Sequence, residues 1–252
     1  MCGRRTSRSR AGRSLESSRT ARASGRTSTR PCRSGKGTTS RSFRSWGYED
    51  ESDPKVVEKK IDAAVSHGVN VFVYDWYWYG GRPFLEDALN KGFLGASNNG
   101  KMKFFIMYAN HHVCKLWDNK AADKEWDKPI WTGGVSEAEF PSLVARWIRQ
   151  YFGRSNYYRI EGKPVLMIYE LKTFIDGVGG REAAKRSLDH LRSECVKVGL
   201  GGVYLMVCDF AITRKDLDGL GIDGATIYNL VHCSISCEFG SADCDECDAA
   251  EV

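Results

Sequence analysis

Apolar residues in this chain recur at two spacings, one typical of helices and one typical of strands. Between Pro54 and Gly68 they return every three or four residues, and Asp53 is placed as an N-cap, so this stretch predicts an amphipathic helix. The run that follows, 69–74, is rich in β-branched and aromatic residues and predicts a buried strand that ends in a loop at Asp75.

The same alternation continues along the body of the chain. Further strands are expected at 102–109, 165–169, 203–208 and 225–228, with helices at 84–94, at 136–153, at 181–198 and just before the last strand. Ser136 and Glu139 have the spacing of a capping box, and residues 113–135 are expected to form a long loop. Such an order predicts an α/β fold of parallel strands, either a doubly wound sheet or a (β/α)8 barrel of the TIM type. No glycine-rich phosphate or dinucleotide fingerprint follows a strand, which favours the barrel.

Polar residues stand at the carboxyl ends of the predicted strands, where a parallel barrel carries its active site. In chain order they are Asp75, Asn110, His111, Glu170, Asp209 and Asn229. Four aromatic residues, 76–79, follow Asp75 without a break and precede Gly80 and Gly81. Flat apolar rings with polar rims suit a sugar ligand, so the run predicts the wall of a glycan pocket, with core packing as the alternative.

Composition divides the chain into three parts: a tail of residues 1–45, a body of residues 46–232 and a second tail of residues 233–252. The first tail carries twelve Arg and one Lys against one Glu, a net of +12, so the overall +5 leaves −7 for the rest of the chain. It has almost no apolar periodicity and is expected to be disordered. Its role stays open between an organelle transit peptide, binding of RNA or another polyanion, and an error of the gene model. Base-specific nucleic-acid binding is not expected, because no RNA-binding module accompanies the charge.

The second tail is acidic and holds four cysteines, Cys233, Cys237, Cys244 and Cys247. Their spacing leaves a central loop too short for the usual zinc finger or ribbon, so a tail without metal is expected, either disordered or an error of the gene model. No stretch approaches eighteen apolar residues and no hydrophobic segment follows the first arginines, so neither a membrane span nor a secretory signal is expected. We therefore expect a soluble protein, and the sequence leaves its location open between the cytoplasm and an organelle.

Three segments carry a family resemblance: GVNVFVYDWYWYGGR at 68–82, KFFIMYANHH at 103–112, and YYRIEGKPVLMIYE at 157–170. Together they resemble the WbsX-type domain of polysaccharide biosynthesis proteins, which is similar to glycoside hydrolase family 99. The match runs from about Gly47 to Asn229. The resemblance implies a (β/α)8 barrel that hydrolyses or transfers glycosyl units without a cofactor, and mannose-type α-linked sugars are the substrates known for the hydrolase relatives.

On this resemblance the predicted catalytic residues are Asp75, Glu170 and His111. Members of the WbsX-type group typically show Ala-Asn-Glu-Asn-Trp where this chain has Ala-Asn-His-His-Val at 109–113, so His111 stands in place of an expected acid. Glycoside hydrolysis normally needs two carboxylates, which leaves Asp75 and Glu170 as the pair and His111 as a candidate general acid. The predicted substrate-binding residues lie at strand ends or directly after them: Trp76, Tyr77, Trp78, Tyr79, Asn110, Trp117, Tyr169, Asp209 and Asn229.

The predicted barrel is incomplete. A barrel needs about 250 residues, whereas the body offers roughly 185 and five recognisable strands, so the first and last strands are expected to be missing, as in a truncated or mis-spliced product. Open parallel edges favour self-association. Two alternatives to a carbohydrate-active enzyme therefore remain, a catalytically inactive glycan-binding remnant and a polyanion-binding protein that acts through the basic tail.

Overall fold

A mostly parallel sheet forms the centre of this structure, a computed structural model that describes residues 47–114, 128–208 and 213–228. Its strands, with those of a small separate ribbon, are β1 (Val71–Tyr79), β2 (Arg82–Phe84), β3 (Lys103–Tyr108), β4 (Val113–Cys114), β5 (Pro129–Trp131), β6 (Arg159–Ile160), β7 (Lys163–Ile168), β8 (Tyr204–Cys208) and β9 (Gly224–Thr226). The order across the sheet is β2-β1-β3-β7-β8-β9, and β6 pairs with β7. β1, β3, β7, β8 and β9 are parallel neighbours, β2 and β6 are antiparallel hairpin partners, and β4 pairs with β5 in the ribbon.

Helices connect the parallel strands. They are α1 (Pro54–Ser66), α2 (Phe140–Trp147), α3 (Leu171–Val178), α4 (Arg181–Lys197) and α5 (Arg214–Leu220), with π-helical segments at Ala88–Phe93 and Ile148–Phe152 and a short 3-10 turn at Asn99–Lys101. The Asp53 carboxylate caps α1 by accepting a hydrogen bond of 2.9 Å from the Lys55 amide, and Pro54 opens the helix. Within the described ranges, no helix has both the length and the apolar character that crossing a membrane requires.

The side chains of β1 alternate between the two faces of the sheet, as a strand requires. Trp76 and Trp78 lie on the face that packs against the helices, where Trp76 meets Trp147 of α2 edge-on with ring centroids 5.4 Å apart. Asp75 and Tyr77 lie on the opposite face. Of the aromatic residues that follow Asp75, Trp76 and Trp78 therefore pack against the helices, whereas Tyr77 shares the opposite face of the sheet with Asp75.

A partly buried ion pair joins the segment after β2 to α2. The Glu86 carboxylate accepts hydrogen bonds from Trp76 Nε1 at 2.7 Å, from Arg146 Nε at 2.9 Å and from the Tyr151 hydroxyl at 3.0 Å. Burial alone would raise the pKa of Glu86, but the bonds from Arg146, Trp76 and Tyr151 outweigh it and hold this pKa below its usual value. The charge is thus compensated within the core.

The alternating α/β order predicted from the sequence is confirmed, while several elements differ from the prediction. β1 does not end at Asp75 but continues through Tyr79 and turns at Gly80 and Gly81, both with positive φ, into β2. The predicted long loop contains the ribbon β4–β5, and α3 was not predicted. The capping box is half formed, because the Ser136 hydroxyl accepts from the Glu139 amide at 3.2 Å, whereas the Glu139 carboxylate binds Trp78 Nε1.

Candidate functional site

Four rings meet at the carboxyl ends of the parallel strands, and we call them the ring cluster: Tyr77, His111, Tyr169 and Tyr228. Each touches the next edge-to-face, with centroids 5.8 Å apart for Tyr77 and His111, 5.7 Å for His111 and Tyr169, and 5.5 Å for Tyr169 and Tyr228. Three parallel neighbours, β1, β3 and β7, bring the first three rings together because their carboxyl ends share one edge.

Asp75 lies beside this cluster and is exposed. The Tyr77 hydroxyl donates a long hydrogen bond of 3.4 Å to Asp75 Oδ2. Partial loss of solvent around the carboxyl group raises the pKa of Asp75, and the Tyr77 hydrogen bond and the nearby His111 offset this only in part. Loss of solvent, together with the charge of Asp75, also raises the pKa of Tyr77 to about 12, so this hydroxyl stays protonated and remains a donor.

Glu170 directly precedes α3 and follows Tyr169. Its carboxylate accepts a hydrogen bond from the Thr173 hydroxyl, one turn into the helix. Burial raises the pKa of Tyr169, and the charges of Glu170 and Asp75 both add to this rise. Both carboxylates therefore act electrostatically on one phenol.

Asn110 was predicted to bind substrate, but the structure gives its side chain another partner. This residue is buried, and its amide forms two hydrogen bonds with the backbone of Glu170: Nδ2 donates to the carbonyl at 2.7 Å, and Oδ1 accepts from the N–H at 2.9 Å. These two hydrogen bonds extend the contact between β3 and β7 beyond the last paired residues of the two strands, Tyr108 and Ile168. Asn110 thus fixes the main chain of Glu170 rather than facing a ligand.

The aromatic run after Asp75 is divided between the two faces of β1. Trp76 and Trp78, both predicted to bind sugar, are buried in the core and donate their indole N–H groups to Glu86 and Glu139, each at 2.7 Å. Tyr79 is also buried, and its hydroxyl donates to the His111 carbonyl at 3.0 Å. Only Tyr77 of the four contributes a ring to the cluster, so we leave Trp76 and Trp78 out of the site that we propose.

The two adjacent histidines have separate surroundings. His111 belongs to the ring cluster, whereas His112 Nδ1 accepts a hydrogen bond of 3.1 Å from the Gly133 amide. Across the part of the chain that the structure describes, no group of three or more His, Cys, Asp or Glu side chains could hold a metal ion. Three predicted binding residues, Trp117, Asp209 and Asn229, lie outside the described residues, as do both predicted tails.

Sequence reasoning missed Tyr228, the outermost ring of the cluster, although it directly precedes the predicted Asn229 at the end of the fifth parallel strand. It also missed a surface depression of about 710 Å³ beside the β1–β2 hairpin, which Tyr79, Phe84 and Trp131 help to line. The signal for this depression was weak, because Trp131 lies in a stretch with no clear apolar period.

Comparison with known proteins assigns the chain to a family. The family model described as Glycosyltransferase WbsX matches residues 40–245. The chain belongs to this family. The resemblance read from the three sequence segments is thereby confirmed.

This WbsX-family chain is also similar to proteins named WxcX, described as uncharacterized, from two strains of Xanthomonas campestris pv. campestris. Identity to each is 24% over 182 residues, which is 72% of this chain and 24% of the relative. The chain therefore spans about a quarter of the length of the curated relatives that it matches.

Two solved structures resemble the fold more distantly. The GH99 endo-alpha-mannosidase of Bacteroides thetaiotaomicron aligns with a TM-score of 0.49 at 14% identity, over 74% of this chain and 47% of that one. Its complex with bis-tris-propane aligns with a TM-score of 0.48 at 13% identity, over 74% of this chain and 50% of that one.

Proposed function

We propose that this chain is a carbohydrate-active domain that binds a glycan at the carboxyl ends of its parallel strands and cleaves or transfers a glycosyl unit there. Membership of the WbsX family supports the substrate class. The observation that carries the proposal is Asp75, an exposed carboxyl group of raised pKa bordered by Tyr77 and His111. A raised pKa suits an acid that must hold a proton before it donates it.

In this proposal Asp75 protonates the oxygen of the leaving sugar, and Glu170 supplies the second carboxylate as base or nucleophile. Both charges raise the pKa of Tyr169, whose ring packs edge-to-face against His111 in the ring cluster. Asn110 holds the Glu170 backbone by two hydrogen bonds, which limits the movement of that carboxylate. His111 contacts Tyr77 and Tyr169 and serves as a candidate second proton donor.

The five parallel strands are consistent with the larger architecture that we propose, a (β/α)8 barrel of which β1, β3, β7, β8 and β9 are consecutive members. In such a barrel the strand ends that carry Asp75, His111 and Glu170 form one active face. The domain limits 46–232, with separate tails on either side, are part of the same proposal.

A second candidate function is glycan binding without turnover. It is favoured by the Glu170 carboxylate, which already accepts the Thr173 hydroxyl, and by His111, which occupies the position where the family pattern places an acid. Such a remnant would keep the aromatic site and lose the chemistry.

Turnover of an α-mannan, the sugar class that the sequence resemblance implies, separates the two functions. We expect the wild type to release reducing sugar, and Asp75→Asn and Glu170→Gln to lose a hundredfold or more of the rate, on the order of what general acid and base groups supply. Glu161→Gln, an exposed acid in the β6–β7 turn, is the matched control and should keep full activity.

Two other outcomes would contradict the proposed enzymatic function. Turnover at the wild-type rate in both carboxylate variants would remove Asp75 and Glu170 from the mechanism. Binding of the mannan by calorimetry without any release of sugar would favour the remnant.

A further inference from the structure

The depression beside the β1–β2 hairpin lies outside the ring cluster, and three large apolar side chains are exposed around it. Trp131 is 44% exposed, Phe84 39% and Leu85 66%. Single exposed apolar residues are ordinary, but three around one concavity are a common sign of a binding surface. Its volume of about 710 Å³ falls in the range of ligand pockets, roughly 300–1,000 Å³.

Trp131 is held in place by two other rings. Its centroid lies 5.4 Å from that of Phe84 at 75°, and 5.7 Å from that of Tyr79 at 38°. Tyr79 is itself anchored by its hydrogen bond to the His111 carbonyl. A ring fixed in this way offers a flat apolar surface with little loss of side-chain entropy on binding.

The polar groups of the depression favour a neutral ligand. Arg82, Glu86 and Asp87 line it, and the two carboxylates are already paired, Glu86 with Arg146 and Asp87 with Lys91 Nζ at 2.8 Å. These groups give donors and acceptors without a field of a single sign, so a polyanion gains little here. A hexose presents an apolar C–H face for a ring and hydroxyl groups for such a rim.

The depression is continuous with the proposed site through one strand. Tyr79 lines it and stacks on Tyr77, with centroids 6.1 Å apart and planes at 24°, and Tyr77 donates to Asp75. Tyr79 lies four residues beyond Asp75 on the same β-strand, a distance of about 13 Å. A ligand that reaches from one to the other is an oligosaccharide rather than a single sugar.

We infer that this depression is a second subsite of the same glycan site, in which Trp131 stacks on a sugar unit several residues along the chain from the bond at Asp75. The inference rests on the proposed function. It adds that the substrate is an extended glycan, and that the affinity for the glycan increases with the number of its sugar units.

Calorimetry with an α-linked mannobiose and a mannohexaose tests the inference on the full chain. We expect the hexaose to bind the wild type about tenfold more tightly than the biose, since one well-packed ring contact contributes on that order. Trp131→Ala should remove this preference for length, while Trp131→Phe, which keeps a flat ring, should retain most of it. Val196→Ala, an exposed apolar position on α4, is the control and should bind as the wild type does.

The outcomes distinguish this inference from the function on which it rests. A wild type that binds neither sugar contradicts the proposed function, and the subsite with it. Equal affinity for both sugars, or an unchanged preference in Trp131→Ala, overturns the subsite alone. Near-UV circular dichroism checks the folding of each variant, and Phe84→Leu carries the same test if Trp131→Ala does not fold.

Discussion

Asp75 owes its ionisation to two opposing influences at the scale of single side chains. Loss of solvent favours the protonated acid, while the Tyr77 hydroxyl and His111 favour the carboxylate. Removing the hydrogen bond should therefore leave desolvation opposed by His111 alone. We expect Tyr77→Phe to raise the pKa of Asp75 further, as measured by ¹³C NMR titration of its carboxyl carbon. Tyr158→Phe, whose backbone pairs near the start of β3, is the control and should leave that pKa unchanged.

The same acid should lower the stability of the protein at neutral pH. Its pKa in the folded state lies above the value in the unfolded chain, so the folded state binds the proton more tightly. Stability is then fully present below the unfolded pKa, about 3.9, and falls as pH rises through the folded pKa. In urea denaturation, Asp75→Asn should be more stable than the wild type at pH 7, with a difference that shrinks toward pH 4. A difference that is independent of pH would contradict this origin.

The position of the candidate acids could be predicted from the sequence, but their surroundings could not. Asp75 and Glu170 each follow an apolar run, and the strand period places such residues at one edge of the sheet. The four rings after Asp75 are all large and amphipathic, so their pattern gives no sign of which face each one takes. Tertiary packing decides this, because Trp76 and Trp78 find partly buried carboxylates, Glu86 and Glu139, for their N–H groups.

At the scale of elements, the turn before α2 packs directly on the end of β3. A Cβ atom on Gly133 would lie 2.2 Å from the Asn110 carbonyl oxygen and 2.4 Å from that of His111. Both neighbours are backbone atoms, so relief requires the strand end to move. Gly133→Ala should cost about 2 to 3 kcal/mol of unfolding free energy by overpacking.

Gly100 is the matched control for that substitution. Its added Cβ would meet nothing within 4 Å, so Gly100→Ala should change stability by less than about 1 kcal/mol. Denaturant unfolding of the two variants measures the contrast. Equal losses in both would show that the close approach at β3 does not limit the fold.

The Glu86–Arg146 pair connects two elements across the core, with side-chain exposures of only 10% and 22%. Glu86→Gln leaves Arg146 without its counter-charge and should cost about 3 kcal/mol at pH 7. The pKa of Glu86 is lowered, so its contribution is present above the unfolded pKa and is lost as pH falls through the folded value. The effect of the substitution in thermal unfolding should therefore diminish in acid.

An exposed pair provides the comparison. Glu137 and Arg186 form an ion pair with side chains 42% and 63% exposed, so Glu137→Gln should cost less than about 1 kcal/mol. If Glu86→Gln and Glu137→Gln lower the free energy of unfolding equally, burial does not explain the contribution of the Glu86–Arg146 pair.

α3 shows why some elements escaped prediction. Its sequence includes Gly177, a residue that ordinarily weakens a helix, and Glu170 before it forms no side-chain cap with the helix backbone. The structure explains the glycine, since a Cβ at this position would lie 2.8 Å from the Gly134 Cα. Gly177 is thus required for the close packing of α3 against the segment around Gly134, but in the sequence it resembles a helix breaker.

At the scale of the whole molecule, the alternation of the parallel strands with helices followed from periodicity, because each parallel strand needs a crossover of its own. The neighbours beyond β9 could not be predicted in the same way. Within the described ranges, β2 and β9 are the outer strands of the sheet. Since the chain spans about a quarter of its curated relatives, closure of the barrel and self-association through open edges remain predictions.

The uneven charge of the chain leads to the last prediction. Residues 1–45 carry a net of +12 and the remainder −7, so any attraction to a polyanion should reside in the first segment. We expect the full chain to bind poly(U) without sequence preference, with an affinity that falls steeply as salt rises because counterions are released. Deletion of residues 1–45 should abolish this binding and leave the affinity for mannohexaose unchanged. Poly(U) binding that survives the deletion would move the interaction to residues 46–252, where the net charge of −7 opposes it, and would require a specific nucleic-acid site there.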